Sequence, residues 1–231
     1  MSAISKAAGR RRSVDRKRES DARVIRSRAA VVKAATTLFL RHGYAGTTMD
    51  DIAKLAGITK RTVYNNYPDK EVLFRLIVMD MITNAERFAC GLQSDFGAAR
   101  TPASVRAMLH DLGRRMALAI VTPQVIGLRR LLIAEARTLP GLGRAYLERA
   151  PGQVLRALAA GFETLARRDL LRVRNTQRAA EQFAYLVVGA RLDEGMLVGK
   201  APATARLVHG ARDGVETFLA RYVPRRASAG A

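Results

Sequence analysis

The chain has 231 residues, 48% hydrophobic and 26% charged, the make-up of one large globular domain or two modest ones rather than of a disordered or collagen-like chain. A single Cys excludes an internal disulfide and a disulfide scaffold, and no charge-free apolar run is long enough to predict a membrane span. Forty Lys and Arg against twenty Asp and Glu leave a net charge of +20, which favours a polyanionic partner: nucleic acid first, an anionic membrane surface second.

The N-terminal segment is the most basic per residue. Lys6, Arg10, Arg11, Arg12, Arg16, Lys17, Arg18, Arg23, Arg26 and Arg28 face only Asp15, Glu19 and Asp21. No apolar run follows the arginines, so the segment does not read as a secretory signal. It has too few large apolar residues to form a core, and residues 1–25 are expected to be a disordered basic arm. Such an arm is either a solvated tail or an extra contact to phosphates or the minor groove.

The first helix is expected over residues 26–41. Val31, Val32, Ala35, Leu38 and Phe39 recur at spacings of three and four, and Gly43 suits a left-handed cap. Thr48 is expected to cap a second, two-turn helix, with Asp50 and Asp51 complementing its dipole and Ile52, Leu55 and Ala56 facing inward. Gly57 closes it. Thr59 caps a third short helix to about Asn66. Pro68-Asp69 breaks that helix, and Asp69 caps a long fourth helix from Lys70 to about Leu92. Pro and Gly punctuation places later helices at 102–121, 123–137, 141–168, 176–199 and 203–222, with Pro151 able to kink or divide the third of these. No strand pattern appears, so the fold class is all-α.

Residues 48–67 read TMDDIAKLAGITKRTVYNNY: a short helix, a tight turn at Gly57 and a second short helix. Ile52, Leu55, Ala56, Ile58 and Val63 supply apolar contacts. Lys60, Arg61, Tyr64 and Asn65, with Thr62 beside them, remain on the outside of the second helix. These side chains can donate to phosphates or base edges, and the end carrying Lys60 and Arg61 would meet the major groove first. Arg binds guanine through two hydrogen bonds and Asn does the same with adenine, so Arg61 is the leading base reader, and Lys60 reads a base or holds a phosphate. Two amphipathic helices of an all-α core without DNA would also fit this geometry.

The run AATTLFLRHGYAGTTMDDIAKLAGITKRTVYNNYPDKEVLF adds specificity. Its Ala-Ala…Leu-Phe helix, Gly-Tyr turn, Thr-Thr, Asp-Ile-Ala, Ala-Gly, Thr-x-x-Thr-x-Tyr and Pro-x-Lys-x-x-Leu occur in the order and spacing of the DNA-binding domain of the TetR family of bacterial transcription regulators. Residues 31–76 resemble that domain. The resemblance implies that Thr48 caps the second helix and can touch phosphate, that Thr59 starts the recognition helix, and that Lys60, Arg61 and Thr62 face the groove. It also implies that Tyr64 contacts a phosphate or base, that Asn66 and Tyr67 lie near the DNA backbone, and that Lys70 holds a phosphate. Arg61 and Asn66 depart from the small and aromatic residues that the family commonly has there, so no operator transfers.

In the C-terminal half, RRLLIAEARTLPGLGRAYLERAPGQVLRALAAG and the later Leu170-Leu171-Arg172-Val173 and Ala179-Ala180-Glu181-Gln182-Phe183 look like the C-terminal domain of AefR-like and AcrR-like members. There it is an effector-responsive dimerisation module. The resemblance implies a homodimer through helices 176–199 and 203–222, a double-stranded DNA operator and an unknown small-molecule effector. It also implies a cytoplasmic, nucleoid-associated location and no cofactor, metal, membrane or catalysis. The expected organisation is a basic arm at 1–25, a DNA-binding domain at 26–86 with its helix–turn–helix at 49–68, an effector and dimerisation domain at 87–223, and a flexible tail at 224–231. A nucleic-acid-binding protein of little sequence specificity, or an activator of the same family, remains open.

Other motifs read as structural. Gly141-Leu142-Gly143 follows a helix rather than a strand, which argues against a dinucleotide site. His42, His110 and His209 have no metal-ligand spacing. Cys90 reads as core rather than redox sensor, and Asp193-Glu194 as salt-bridging to Arg191 or a partner helix. Met79, Met81, Met108 and Met116 read as core, with an adaptable effector pocket as the alternative.

Overall fold

The computed structural model describes residues 2–223, with side chains from residue 22 onward. Among these residues every regular element is helical. The chain divides into two compact units with a boundary between Ile77 and Val78, short of the expected limit at 86.

In the first unit, α1 (Ser2–His42) starts far earlier than residue 26. The segment expected as a disordered arm is helical from Ser2: it has no Pro and one Gly, and its Ala, Arg and Lys favour helical dihedrals. Among the described side chains the first buried one is Val31, and Ala34, Ala35 and Phe39 continue that stripe. Next, α2 (Met49–Ala56) buries Met49, Ile52 and Ala53. Leu55, expected inside, is 52% exposed, and Ala56 is half-buried. Eight residues present one narrow stripe, and Leu55 falls outside it once Met49 and Ala53 take part. Gly57, at φ 66°, ends the helix. Its N–H donates to the Lys54 carbonyl at 3.2 Å and that of Ile58 to Ala53 at 3.1 Å, the two bonds of a Schellman cap.

Short α3 (Lys60–Asn66) buries Val63. The first turns of α4 (Lys70–Ala98) bury Leu73, Phe74 and Ile77. The Asp69 carboxylate caps α4 by accepting the Val72 N–H at 2.9 Å. Phe39, Tyr44 and Phe74 form the aromatic centre of this unit, with ring centroids 5.3–5.6 Å apart.

The second unit contains the rest of α4, then α5 (Pro102–Ile120), α6 (Pro123–Ala134), α7 (Pro140–Arg149), α8 (Pro151–Ala166), α9 (Thr176–Ala184), α10 (Ala190–Val198) and α11 (Thr204–Tyr222). A π-helical turn, Tyr185–Gly189, joins α9 to α10, so the helix expected at 176–199 is continuous but locally widened. Thr101, Thr122 and Asn175 cap α5, α6 and α9, and Pro151 divides the helix expected at 141–168. The core centres on Phe96, Phe162, Phe183 and Phe218, with the Phe162 and Phe218 rings stacked at 5.0 Å.

Within residues 184–190 one side of the helix packs closely against the rest of the unit while Tyr185 and Leu186 stay exposed. Val187 and Val188 are buried, and a Cβ at Gly214 of α11 would press into the Leu186 carbonyl. Cys90, expected in the core, is exposed, because Ala89 and Leu92 take the inward positions of α4. Met116 is core, while Met79, Met81 and Met108 are half-buried. Glu194 pairs with Arg191, as expected, and also with Arg206, each at 2.7 Å.

Candidate nucleic-acid interface

The candidate interface lies on the first unit. Thr59 sits at the start of α3, and its hydroxyl accepts the Thr62 N–H at 3.3 Å and shares a 2.8 Å hydrogen bond with the Thr62 hydroxyl. Both hydroxyls therefore serve the cap. Val63 anchors the opposite side of the helix in the core, which leaves Lys60, Arg61, Tyr64 and Asn65 exposed together. The side chains of Arg61 and Asn65 form no hydrogen bond or ion pair among the described residues. This fork and this amide match the donors that read guanine and adenine.

Lys60 is not solitary. Its ammonium pairs with the Asp50 carboxylate in the first turn of α2. That hydrogen bond raises the Lys60 pKa above its ordinary value. Thr48 caps α2 by accepting the Asp51 N–H at 3.2 Å, and it donates to the Asp51 carboxylate at 2.5 Å. Its hydroxyl is thus committed within α2.

The expected contacts at the far end of α3 divide differently. Asn66 donates to the Thr62 carbonyl at 2.8 Å and accepts from Arg28 of α1 at 3.3 Å. It fastens α3 to α1. Tyr67, expected beside the DNA backbone, is only 6% exposed. It closes the core, and burial pushes its phenol pKa up. Lys70, expected to hold a phosphate, donates to the carbonyls of Tyr44 at 2.8 Å, Thr47 at 3.1 Å and Ala45 at 3.4 Å. The ammonium also lies 4.6 Å from the Tyr44 ring centroid. Three backbone acceptors satisfy all three donors of an ammonium, so Lys70 staples the turn between α1 and α2 to the start of α4.

Sequence reading missed Asp50 and Arg28 as members of this site. Asp50 precedes Lys60 by ten residues across a turn, and Arg28 precedes Asn66 by thirty-eight. Neither spacing is periodic in a helix, so only the tertiary arrangement brings these pairs together.

Two short helices crossed at a Gly turn, with a cationic and amide-bearing outer face, define a helix–turn–helix DNA-binding unit joined to a larger all-helical unit. Known proteins agree with that class. The family profile of bacterial regulatory proteins, tetR family, matches residues 31–77. That of the AefR-like transcriptional repressor C-terminal domain matches residues 107–224, about half of the chain. A protein of Mesorhizobium loti described as a TetR-family transcriptional regulator is 31% identical over 87% of this chain and 99% of its own, with a TM-score of 0.76. The flavonoid-responsive regulator FrrA is 30% identical over 87% of this chain and 98% of its own, with a TM-score of 0.60. The biofilm operon icaADBC negative transcriptional regulator IcaR of Staphylococcus epidermidis is 44% identical over 45 residues, which is 20% of this chain. The curated relatives are matched over about a quarter to a third of their lengths. The chain belongs to the TetR family of bacterial transcriptional regulators, DNA-binding proteins of the helix–turn–helix type. No single described helix is long and apolar enough to cross a membrane.

Proposed function

We propose that the protein is a dimeric repressor that occupies a near-palindromic operator and is released from it by a small-molecule effector. The observation that carries this reading is the exposed row Lys60, Arg61, Tyr64 and Asn65 on a helix whose other side is fixed by Val63, Asn66 and Tyr67. A rigid frame behind a row of donors is what reading bases in the major groove requires. Arg61 reads a base, Lys60 a base or phosphate, Tyr64 a phosphate or base, and Asn65 a base edge. Thr48, Thr59, Thr62, Asn66, Tyr67 and Lys70 position that face from behind. The protein performs no catalysis in this reading.

Dimerisation is supported by apolar surface on the second unit. Tyr185 is 74% and Leu186 42% exposed, and they line an open groove with Gln182, Thr217, Arg221 and Tyr222 from α9 and α11. A second copy would cover this face. Two recognition helices would then enter successive major grooves, and operator symmetry would mirror the dimer. The effector acts by preferring the spacing that does not fit DNA, a coupling of ~1–3 kcal/mol in typical allosteric proteins. Sedimentation of the full chain should give a dimer at micromolar concentration, and replacing Tyr185 and Leu186 by Glu should give monomers.

The test of operator reading is selection of genomic fragments by the purified protein at physiological salt, read by sequencing. The expected product is a near-palindrome with two equivalent half-sites upstream of a promoter. Recovery without sequence preference, abolished by added salt, would instead establish a non-specific nucleic-acid binder.

A further inference from the structure

The α2–α3 face carries two exposed acidic side chains, Asp50 and Asp51, and Asp50 is the one paired with a cation of the candidate interface. Asp50 occupies the first turn of α2, where a carboxylate is favoured by the helix dipole, and its oxygen takes the Lys60 ammonium at the start of α3. Both side chains are exposed, Lys60 at 65% and Asp50 at 51%, so the pair sits in solvent on the candidate interface. Capping alone would not aim Asp50 at Lys60. The neighbouring Asp51 is already bound to Thr48, and Lys54 and Arg61 are the other exposed charges on these two helices.

We propose that Asp50 is a specificity-determining residue of the DNA face: it holds Lys60, removing that charge from indiscriminate phosphate binding and presenting it to a base acceptor. Binding to arbitrary DNA is driven by neutralising phosphates and releasing their counterions. A lysine already neutralised by a carboxylate adds little to that term. An ammonium has three donors, of which Asp50 uses one, and the remaining two can meet the O6 and N7 of a guanine. Asp50 therefore lowers the affinity for DNA in general more than the affinity for the operator. Excluding wrong partners is as effective a source of specificity as binding the right one.

This inference rests on the operator-reading function, and its test separates the two. Wild type, Asp50→Asn, Lys60→Met and the double variant are titrated across a salt series. The probes are short duplexes of random sequence and the duplex recovered by selection. Asp50→Asn should bind random duplexes several-fold more tightly at low salt. Its logarithmic salt slope should steepen by ~0.9, the increment for one additional neutralised phosphate. The selected duplex should gain less, so the ratio between the two affinities narrows. Asp50→Glu should keep the wild-type slope. On the Lys60→Met background, Asp50→Asn should leave the slope unchanged. An unchanged slope and ratio in Asp50→Asn overturns the proposal. An equal gain with and without Lys60 also overturns it, because Asp50 would then repel phosphate by itself. Wild type that binds no duplex, or binds all duplexes alike, would overturn the operator reading beneath it.

Discussion

Lys70→Met keeps the aliphatic stem of the side chain and removes only the ammonium, which makes it a direct test of what that charge does. In the folded protein the ammonium serves the carbonyls of Tyr44 and Thr47 at ordinary hydrogen-bond distances and that of Ala45 at a longer one. A hydrogen bond to a charged group contributes ~1.5–3 kcal/mol, so the two short bonds amount to ~3–6 kcal/mol before relaxation. The site is only partly buried, and water can replace part of this, which leaves a loss of about 3 kcal/mol, with the contact over the Tyr44 ring included. For a chain of this size each kcal/mol moves the melting temperature by roughly 2–4 °C, so the variant should melt about 6–12 °C lower. Thermal unfolding is followed by circular dichroism at fixed protein concentration, since a dimer's melting point depends on concentration. The second measurement is the salt slope of DNA binding below the melting range. A lysine committed to carbonyls leaves that slope unchanged, whereas a phosphate-holding lysine would lower it by ~0.9. An unaltered melting temperature together with a flatter slope would refute the staple and restore the phosphate role.

Arg61→Ala should reduce discrimination at one base position by ~1–3 kcal/mol, measured on a panel of single-base operator variants; equal discrimination before and after removes Arg61 from base reading. Deleting residues 1–20 should flatten the salt dependence of binding, and an identical slope would mark the N-terminal segment as a bystander. Gly91→Ala on open surface of α4 should stabilise by ~0.5–1 kcal/mol. Gly214→Ala should instead destabilise by ~1–3 kcal/mol, because its methyl group would meet the backbone of the π turn, which cannot rotate away; urea unfolding distinguishes the signs. Hydrogen bonds from Arg191 and Arg206 lower the pKa of Glu194, and those from Arg106 and His110 lower that of Glu216. Folded pKa values below the unfolded ones make the stabilisation complete above the ordinary Glu value of about 4.3, and it is lost as pH falls through the depressed values. Glu194→Gln with Glu216→Gln should therefore unfold with a shallower acid limb than wild type, and superimposable acid transitions would contradict the pairing.

Local rules carried much of this structure. The alternation of apolar residues at helical spacing, the caps Thr48, Thr59, Thr101, Thr122 and Asn175, and the breaks at Gly57, Pro68 and Pro151 are all decided within a few residues of chain. So is the exposed row on α3, because Val63 is the one aliphatic residue among those seven and fixes which side faces inward. Other features depended on contacts between distant residues. Which of Met49, Leu55 and Ala56 enters the core depends on how α2 meets α1, and Leu55 lost. Lys70 looks like a surface cation in sequence, but the fold sets it under three carbonyls some twenty-five residues earlier. Asn66 and Tyr67 became fastenings because α1 passes behind them, and Asp50 met Lys60 because the Gly57 turn brings the start of α2 to the start of α3. Helix type, most caps and the donors offered to solvent were legible in the chain alone, since these follow from backbone hydrogen bonding and side-chain polarity over short range; the early start of α1 was not. Which of those donors stay available depended on the packed fold, because a long flexible cation is committed by whatever acceptors come within its reach.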